Sequence, residues 1–150
     1  MKSDEVISTL NDLIETSKDG EQGFRTCAKD VESTELKQIL TECAERCAEA
    51  AQELQNHVVQ LGGDPERRGS VAGAVHRGWV DVKAGVTGRD DAAVLSECER
   101  GEDVAVRRYK EALEEELPDD VRAVVRHQYE GTVRHHNQIR ALRNQYAART

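Results

Sequence analysis

Apolar residues recur three and four apart over four long stretches, the spacing that lines them up on one face of an α-helix. The first stretch carries Val6, Leu10, Leu13, Ile14, Phe24, Cys27, Ala28 and Val31 and predicts a helix over about 3–31. Ser3 is placed to cap it, and Asp4 and Glu5 sit favourably against its dipole. Leu36, Ile39, Leu40, Cys43, Cys47, Ala50, Leu54, Val58 and Leu61 predict a second helix over 34–61, which Gly62 and Gly63 end and Pro65 keeps from resuming. Val94, Leu95, Cys98, Ala105, Val106, Tyr109, Ala112 and Leu113 predict a third over 90–116, capped by Asp90. The fourth, over 118–147, opens with Pro118 at its first position and buries Val121, Val124, Val125, Thr132, Ile139, Leu142 and Tyr146.

Helices of roughly 27 to 30 residues rise about 40–45 Å each, so four matched rods can share one core. This predicts an all-α four-helix bundle occupying residues 1–150 as a single domain. The turns from first to second and from third to fourth are a few residues long, which makes each pair an antiparallel hairpin. Residues 62–89 are too many for a turn. They hold a fifth amphipathic stretch, Val71, Val75, Trp79, Val82 and Val86, expected as a short helix over 70–86. One long crossover sets the third helix parallel to the second, the connectivity of ferritin-like bundles. Trp79, the only tryptophan, would either seal the core or anchor a contact between two copies.

The formal charge is −8, with 21 Lys and Arg against 29 Asp and Glu. That disfavours nucleic acid and anionic membranes, both of which need clustered cations. Mean hydropathy is −0.71, and no apolar run approaches the roughly 20 residues that span a bilayer. The first residues, Met-Lys-Ser-Asp-Glu, lead into no apolar secretory segment, so a cytoplasmic location is expected. The four cysteines are then free thiols rather than a disulfide framework. Charge is shared unevenly: residues 1–64 hold 14 acids and 6 bases, whereas 121–150 hold one acid and six bases. Pairing between helices and solvated faces explain this, and a docking surface for an acidic partner is the other reading.

Three polar residues fall on the apolar lines at mid-helix: Glu21 on the first helix, Glu102 on the third and His135 on the fourth. Pairing the first hairpin about its turn sets Glu21 beside Cys43 and Cys47. Pairing the second sets Glu102 level with Thr132 and about one turn from His135. A metal site of Glu21, Glu102 and His135, with the two thiols nearby, would take iron or zinc. The plainer reading is buried carboxylates hydrogen-bonded to Ser17, Tyr109, Gln128, His135 or Arg46, with no cofactor. A di-iron centre needs Glu-x-x-His on two helices, and neither copy is present. Helix two has Glu53 and His57 four apart, and helix four has His127 before Glu130 in reversed order. Cys43 and Cys47 read as small hydrophobes or, alternatively, as a thiol sensor. His135 and His136 read as one core and one surface imidazole.

The strings Leu10-Asn-Asp-Leu-Ile-Glu-Thr-Ser-Lys-Asp-Gly20, Gly23-Phe24, Leu61-Gly-Gly-Asp-Pro65, Gly69-Ser-Val-Ala-Gly-Ala, His76-Arg77, Trp79-Val-Asp and Glu97-Cys-Glu-Arg-Gly-Glu-Asp103, with Tyr109, carry a resemblance. Over residues 5–145 the chain resembles a family of bacterial ferritin-like four-helix-bundle proteins of unknown function, widespread in proteobacteria. The resemblance implies the ferritin-like fold with a helical crossover, and no catalytic residues. The missing Glu-x-x-His motifs set the sequence apart from the di-iron pattern. The expected function is a non-enzymatic structural, interaction or stress-associated bundle that forms a homo-oligomer or binds a protein partner. A metal-binding or redox protein with a degenerate carboxylate and histidine site is the alternative.

Overall fold

The structure, a computed structural model, describes residues 2–69 and 90–148. Among them are four α-helices and no strand: α1 Ser3–Asp30, α2 Thr34–Gln60, α3 Asp91–Leu113 and α4 Asp119–Ala147. The crossover helix expected over 70–86, with Trp79, lies outside the described residues.

The caps follow the sequence with small shifts. Ser33 accepts from Leu36 N at 3.2 Å to open α2, and Asp90 accepts from Ala92 N at 3.0 Å to open α3. Ser3 and Pro118 each differ by one position, because Lys2 and Pro118 themselves take the extended N-cap conformation. Helix α3 stops at Leu113, three residues short of expectation. At the end of α2, Gly62 turns to φ +84°, and Gly62 N and Gly63 N bond Val59 O and Val58 O, both at 3.0 Å. Both bonds of the Schellman motif are present, and the left-handed residue it needs is the glycine.

Two apolar layers give the helix directions. One joins the end of α1 (Phe24, Cys27, Val31) with the starts of α2 (Leu36, Leu40, Cys43) and α3 (Val94, Leu95, Cys98) and with Ile139 near the end of α4. The other joins the start of α1 (Val6, Leu10, Leu13, Ile14) with the ends of α2 (Leu54, Val58) and α3 (Tyr109, Ala112) and the start of α4 (Val121, Val125). Helices α2 and α3 therefore run parallel, as a single long crossover requires. Asp91 fastens the start of α3 to the first turn by accepting from Glu32 N at 2.9 Å and Ser33 N at 3.1 Å. The strap leaves α2 in the required direction: Glu66 N donates to Asn11 Oδ1 at 2.8 Å, and Gly69 lies against Asp19 further along α1.

The helices pack unequally. Helix α1 packs closely on α2 and on α3, and α3 packs on α4, whereas α2 and α4 barely meet. The second hairpin also pairs about one turn away from the expected register. Tyr109 meets Gln128 and Asp103 meets His136, so Glu102 is level with His135 and His136 rather than with Thr132.

Candidate functional site

The gap between α2 and α4 forms an open groove of about 680 Å³. Its floor is the buried seam of α1 and α3, with Ser17, Gly20 and Phe24 from one and Gly101, Glu102 and Tyr109 from the other. One wall is α2, through Glu42, Glu45, Arg46, Cys47, Glu49 and Glu53. The other is α4, through His127, Gln128, Gly131, Thr132, Arg134 and His135.

Three helix-interior glycines, Gly20, Gly101 and Gly131, line this groove. Each costs about 1 kcal/mol against alanine in a helix, so their use at one level calls for a spatial reason. At Gly20 the space is already taken: a Cβ there would lie 3.0 Å from Cys47 Sγ. At Gly131 it is open, the nearest atom to an added Cβ being Arg134 Nη2 at 3.6 Å.

Glu102 is a buried carboxyl on the floor of the groove, 5% exposed. It has no hydrogen bond or ion pair among the described residues. Burial, with Asp103 adding to it, pushes its carboxyl up to about 8, so near pH 7 it holds its proton. Above it runs a polar chain. Tyr109 Oη sits 3.3 Å from Ser17 Oγ and donates to Gln128 Oε1 at 2.8 Å. Gln128 Nε2 in turn donates to Glu53 Oε1 at 2.8 Å and Ala50 O at 3.3 Å, bridging α4 to α2. Burial above all raises the Tyr109 hydroxyl well above its usual range, which keeps it a donor.

His135 and Arg46 make a second bridge, with Arg46 Nη1 2.8 Å from His135 Nε2. Burial first, and then the guanidinium charges of Arg46 and Arg134, lower the imidazole to about 4. It is neutral at neutral pH.

The sequence-predicted site is thus brought together in part. Glu102, His135 and Cys47 line one groove, and Cys43 is buried beside it. Glu21 is not gathered with them. It is half-buried, and its Oε2 accepts from Arg25 Nη2 at 3.1 Å, one turn along the surface of α1. The buried face of α1 passes through Gly20 and Gly23 instead, because a residue without a side chain lets α2 close on it and rotates Glu21 to the edge. His136 rather than His135 takes the core position of α4. It bonds Asp103 beside Glu99, which also receives Arg143 and, at 2.7 Å, Arg140.

Burial raises the thiols. Cys43 is pushed up to about 12, and Cys47 and Cys98 also rise well above the usual range, chiefly by desolvation. Such thiols are poor nucleophiles and poor anionic ligands.

These donors do not fit an iron or zinc centre. Among the described residues no three His, Cys, Asp or Glu side chains converge as metal ligands. The Nε2 lone pair of His135 is taken by Arg46 and an oxygen of Glu21 by Arg25. Sequence reasoning overlooked the carboxylate row Glu42, Glu45, Glu49 and Glu53. Its spacing of three and four was the available signal, as was the glycine at the centre of α3 and of α4.

The chain belongs to the family described as domain of unknown function DUF2383, which it matches over residues 5–115. No curated protein matches the sequence. Among solved structures it is similar to a dodecameric thioferritin, the bacterioferritin-related protein from Bacteroides fragilis. The TM-score is 0.77 at 18% identity, over 99% of this chain and 89% of that one. It is also similar to a DPS protein from Vibrio cholerae O1, described as a member of a broad superfamily of ferritin-like diiron-carboxylate proteins. There the TM-score is 0.74 at 15% identity, over 93% of this chain and 89% of that one. At these identities the likeness establishes the ferritin-like fold. No helix among the described residues is long and apolar enough to cross a membrane.

Proposed function

We propose that this chain is a non-enzymatic binding protein on a ferritin-like frame, which takes a small guest into the groove between α2 and α4. One observation carries the reading: Glu102 is 5% exposed, without a hydrogen bond among the described residues, and faces about 680 Å³ of open space. Its carboxyl opens onto the groove with no protein partner among the described residues, so a guest there can bond it directly. The bridges from Gln128 to α2 and from Arg46 to His135 hold the walls apart at a fixed spacing, a preformed site of ordinary size for a small molecule.

A metal or redox role would have to draw on Glu21, Glu102 and His135 with Cys43 and Cys47, of which His135 is engaged by Arg46 and Glu21 by Arg25. Thermal melting against small organic ammonium compounds, amides and divalent metals separates the readings. Organic guests should raise the melting temperature of the chain but not of a Gly131→Leu variant, whose new side chain fills the groove. Elemental analysis of untagged protein should find far less than one iron or zinc per chain. Stoichiometric iron, with Fe(II) oxidised faster than in buffer, overturns the proposal.

Self-association belongs to the same reading, supported by the dodecameric state described for the Bacteroides fragilis thioferritin. Light scattering should return a mass that is a whole multiple of 16.7 kDa and larger than it.

A further inference from the structure

We propose that the guest is a linear aliphatic polyamine, lying lengthwise in the groove with one ammonium on the Glu102 carboxyl and others along Glu42, Glu45 and Glu49 of α2. The inference rests on the groove reading above and names the class of ligand.

The wall of α2 is an unneutralised row. None of the ion pairs among the described residues involves Glu42, Glu45 or Glu49. Acidic side chains on a helix often face only water, so the row alone would mean little. The second observation is Glu102, buried, unbonded and aimed into the same space from the floor.

Spacing selects the shape of the cation. Side chains three and four apart on a helix lie about 5–6 Å from each other, close to the separation of ammonium groups joined by three or four methylenes. From Glu42 to Glu49 the row rises roughly 10 Å, the span of an extended triamine rather than of a compact cation. The missing side chains of Gly101 and Gly131 leave a floor and wall against which methylenes can lie.

Charge and donor count select ammonium over metal. An ammonium brings three N–H donors and is satisfied by one carboxylate and a pair of neutral acceptors. At the floor the carboxylate is Glu102, and water entering the open groove can supply the neutral acceptors. A divalent metal demands more charged ligands than converge here. The cations of the walls offset the row only in part: Arg46 and Arg134 keep their charges against the carboxylates of Glu42, Glu45, Glu49 and Glu53, which leaves the walls net negative.

Binding should move a proton. Glu102 holds its proton in the empty groove, and an ammonium beside it favours the carboxylate, so the proton leaves to buffer. The other groups facing Glu102 do not supply it. His135 on α4 is already neutral, lowered by burial and by the charges of Arg46 and Arg134. Cys47 and Tyr109 are raised by burial, and the α1 part of the lining carries no titratable side chain.

Calorimetric titration of the full chain with spermidine, at pH 7 and low salt in two buffers of different ionisation heat, tests this. The expected result is saturable one-site binding, at least tenfold weaker in Glu102→Gln and in Gly131→Leu, both verified as folded by circular dichroism. The wild type should release a proton on binding and Glu102→Gln none. Binding that survives Gly131→Leu unchanged, or that Mg²⁺ displaces at equal charge, marks a diffuse surface atmosphere and overturns the proposal. So does the absence of binding. If spermidine fails while other guests still stabilise the wild type but not Gly131→Leu, the polyamine assignment alone falls. If Gly131→Leu changes nothing for any guest, the groove reading falls with it.

Discussion

The imidazole of His135 accepts from the guanidinium of Arg46, with Nη1 and Nε2 2.8 Å apart. Arginine has no acceptor and keeps its charge, so the ring must carry its one proton on Nδ1. This pair is one of only a few bonds joining α2 to α4.

The charge of Arg46 makes a titration prediction. In NMR spectra His135 should titrate near pH 4, and in Arg46→Gln it should move up towards the ordinary histidine range without reaching it, because burial remains the larger cause. Since its folded value lies below its unfolded one, His135 contributes stability above about pH 6.5 that is lost as pH falls towards 4. A wild-type value near 6.5 would show that the contact does not form in solution.

Glu102 gives the opposite slope. Its carboxyl is raised to about 8 in the fold, so the folded state binds the extra proton and stability declines as pH climbs from about 4.5 to 8. Glu102→Gln removes the ionisable group, and the variant should be more stable than the wild type at pH 9 by on the order of a few kcal/mol. At pH 4 the two should unfold at nearly the same urea concentration. Parallel stability curves from pH 4 to 9 would refute a buried, unpaired carboxyl.

Glu99 behaves as a paired acid. Burial alone would raise it, but the hydrogen bond from Arg140 and the charges of Arg143, Arg140 and His136 more than offset this and lower it. Its contribution is complete at neutral pH and is lost as pH falls below the usual carboxylate range. Glu99→Gln should cost about 1–2 kcal/mol at pH 7, a modest figure because Arg140 is half in water and can be solvated. The cost should shrink in acid, read from urea midpoints at pH 7 and 3.

Two glycines with different surroundings should respond differently to alanine. Gly131→Ala meets open space and should stabilise by about 0.5–1 kcal/mol. Gly20→Ala meets Cys47 Sγ at 3.0 Å and should gain nothing until Cys47 is also made alanine. A double-mutant cycle of Gly20→Ala with Cys47→Ala reads that coupling, and additivity would place the sulfur elsewhere.

Thiol reactivity follows from burial. Alkylation at pH 8 should label Cys43 and Cys98 far more slowly than an exposed thiol, and mild peroxide should leave Cys43 and Cys47 unoxidised by mass spectrometry. Rapid oxidation of Cys43 or Cys47 would favour the thiol-sensor reading instead.

The helices and their directions were legible because the signals are local. Asp90 and Ser33 cap where an acceptor is needed, and the apolar layers from Phe24 to Ile139 and from Val6 to Val125 follow from periodicity. The site was legible only in its floor carboxyl. Glu102 sits on a line of residues that all have side chains, so the period placed it correctly. Glu21 was misplaced because the period assumes equal side chains, and Gly20 and Gly23 shift the contact line around α1. His135 and His136 exchanged roles because the α3–α4 register depends on tertiary pairs such as Tyr109 with Gln128, which no local pattern encodes. The unequal spacing of α2 and α4 is likewise a property of four helices together.

The molecule is arranged like an open book: α1 and α3 form the spine, and the hairpins they begin carry α2 and α4 as covers. What fastens the covers along the groove is a pair of polar clasps, Gln128 of α4 onto Ala50 and Glu53 of α2, and Arg46 of α2 onto His135 of α4. A wider occupant could spread them by exchanging clasps for water while both apolar layers near the spine stay shut. Such a frame can change what it accommodates through substitutions at two or three clasp positions, with the fold itself left alone.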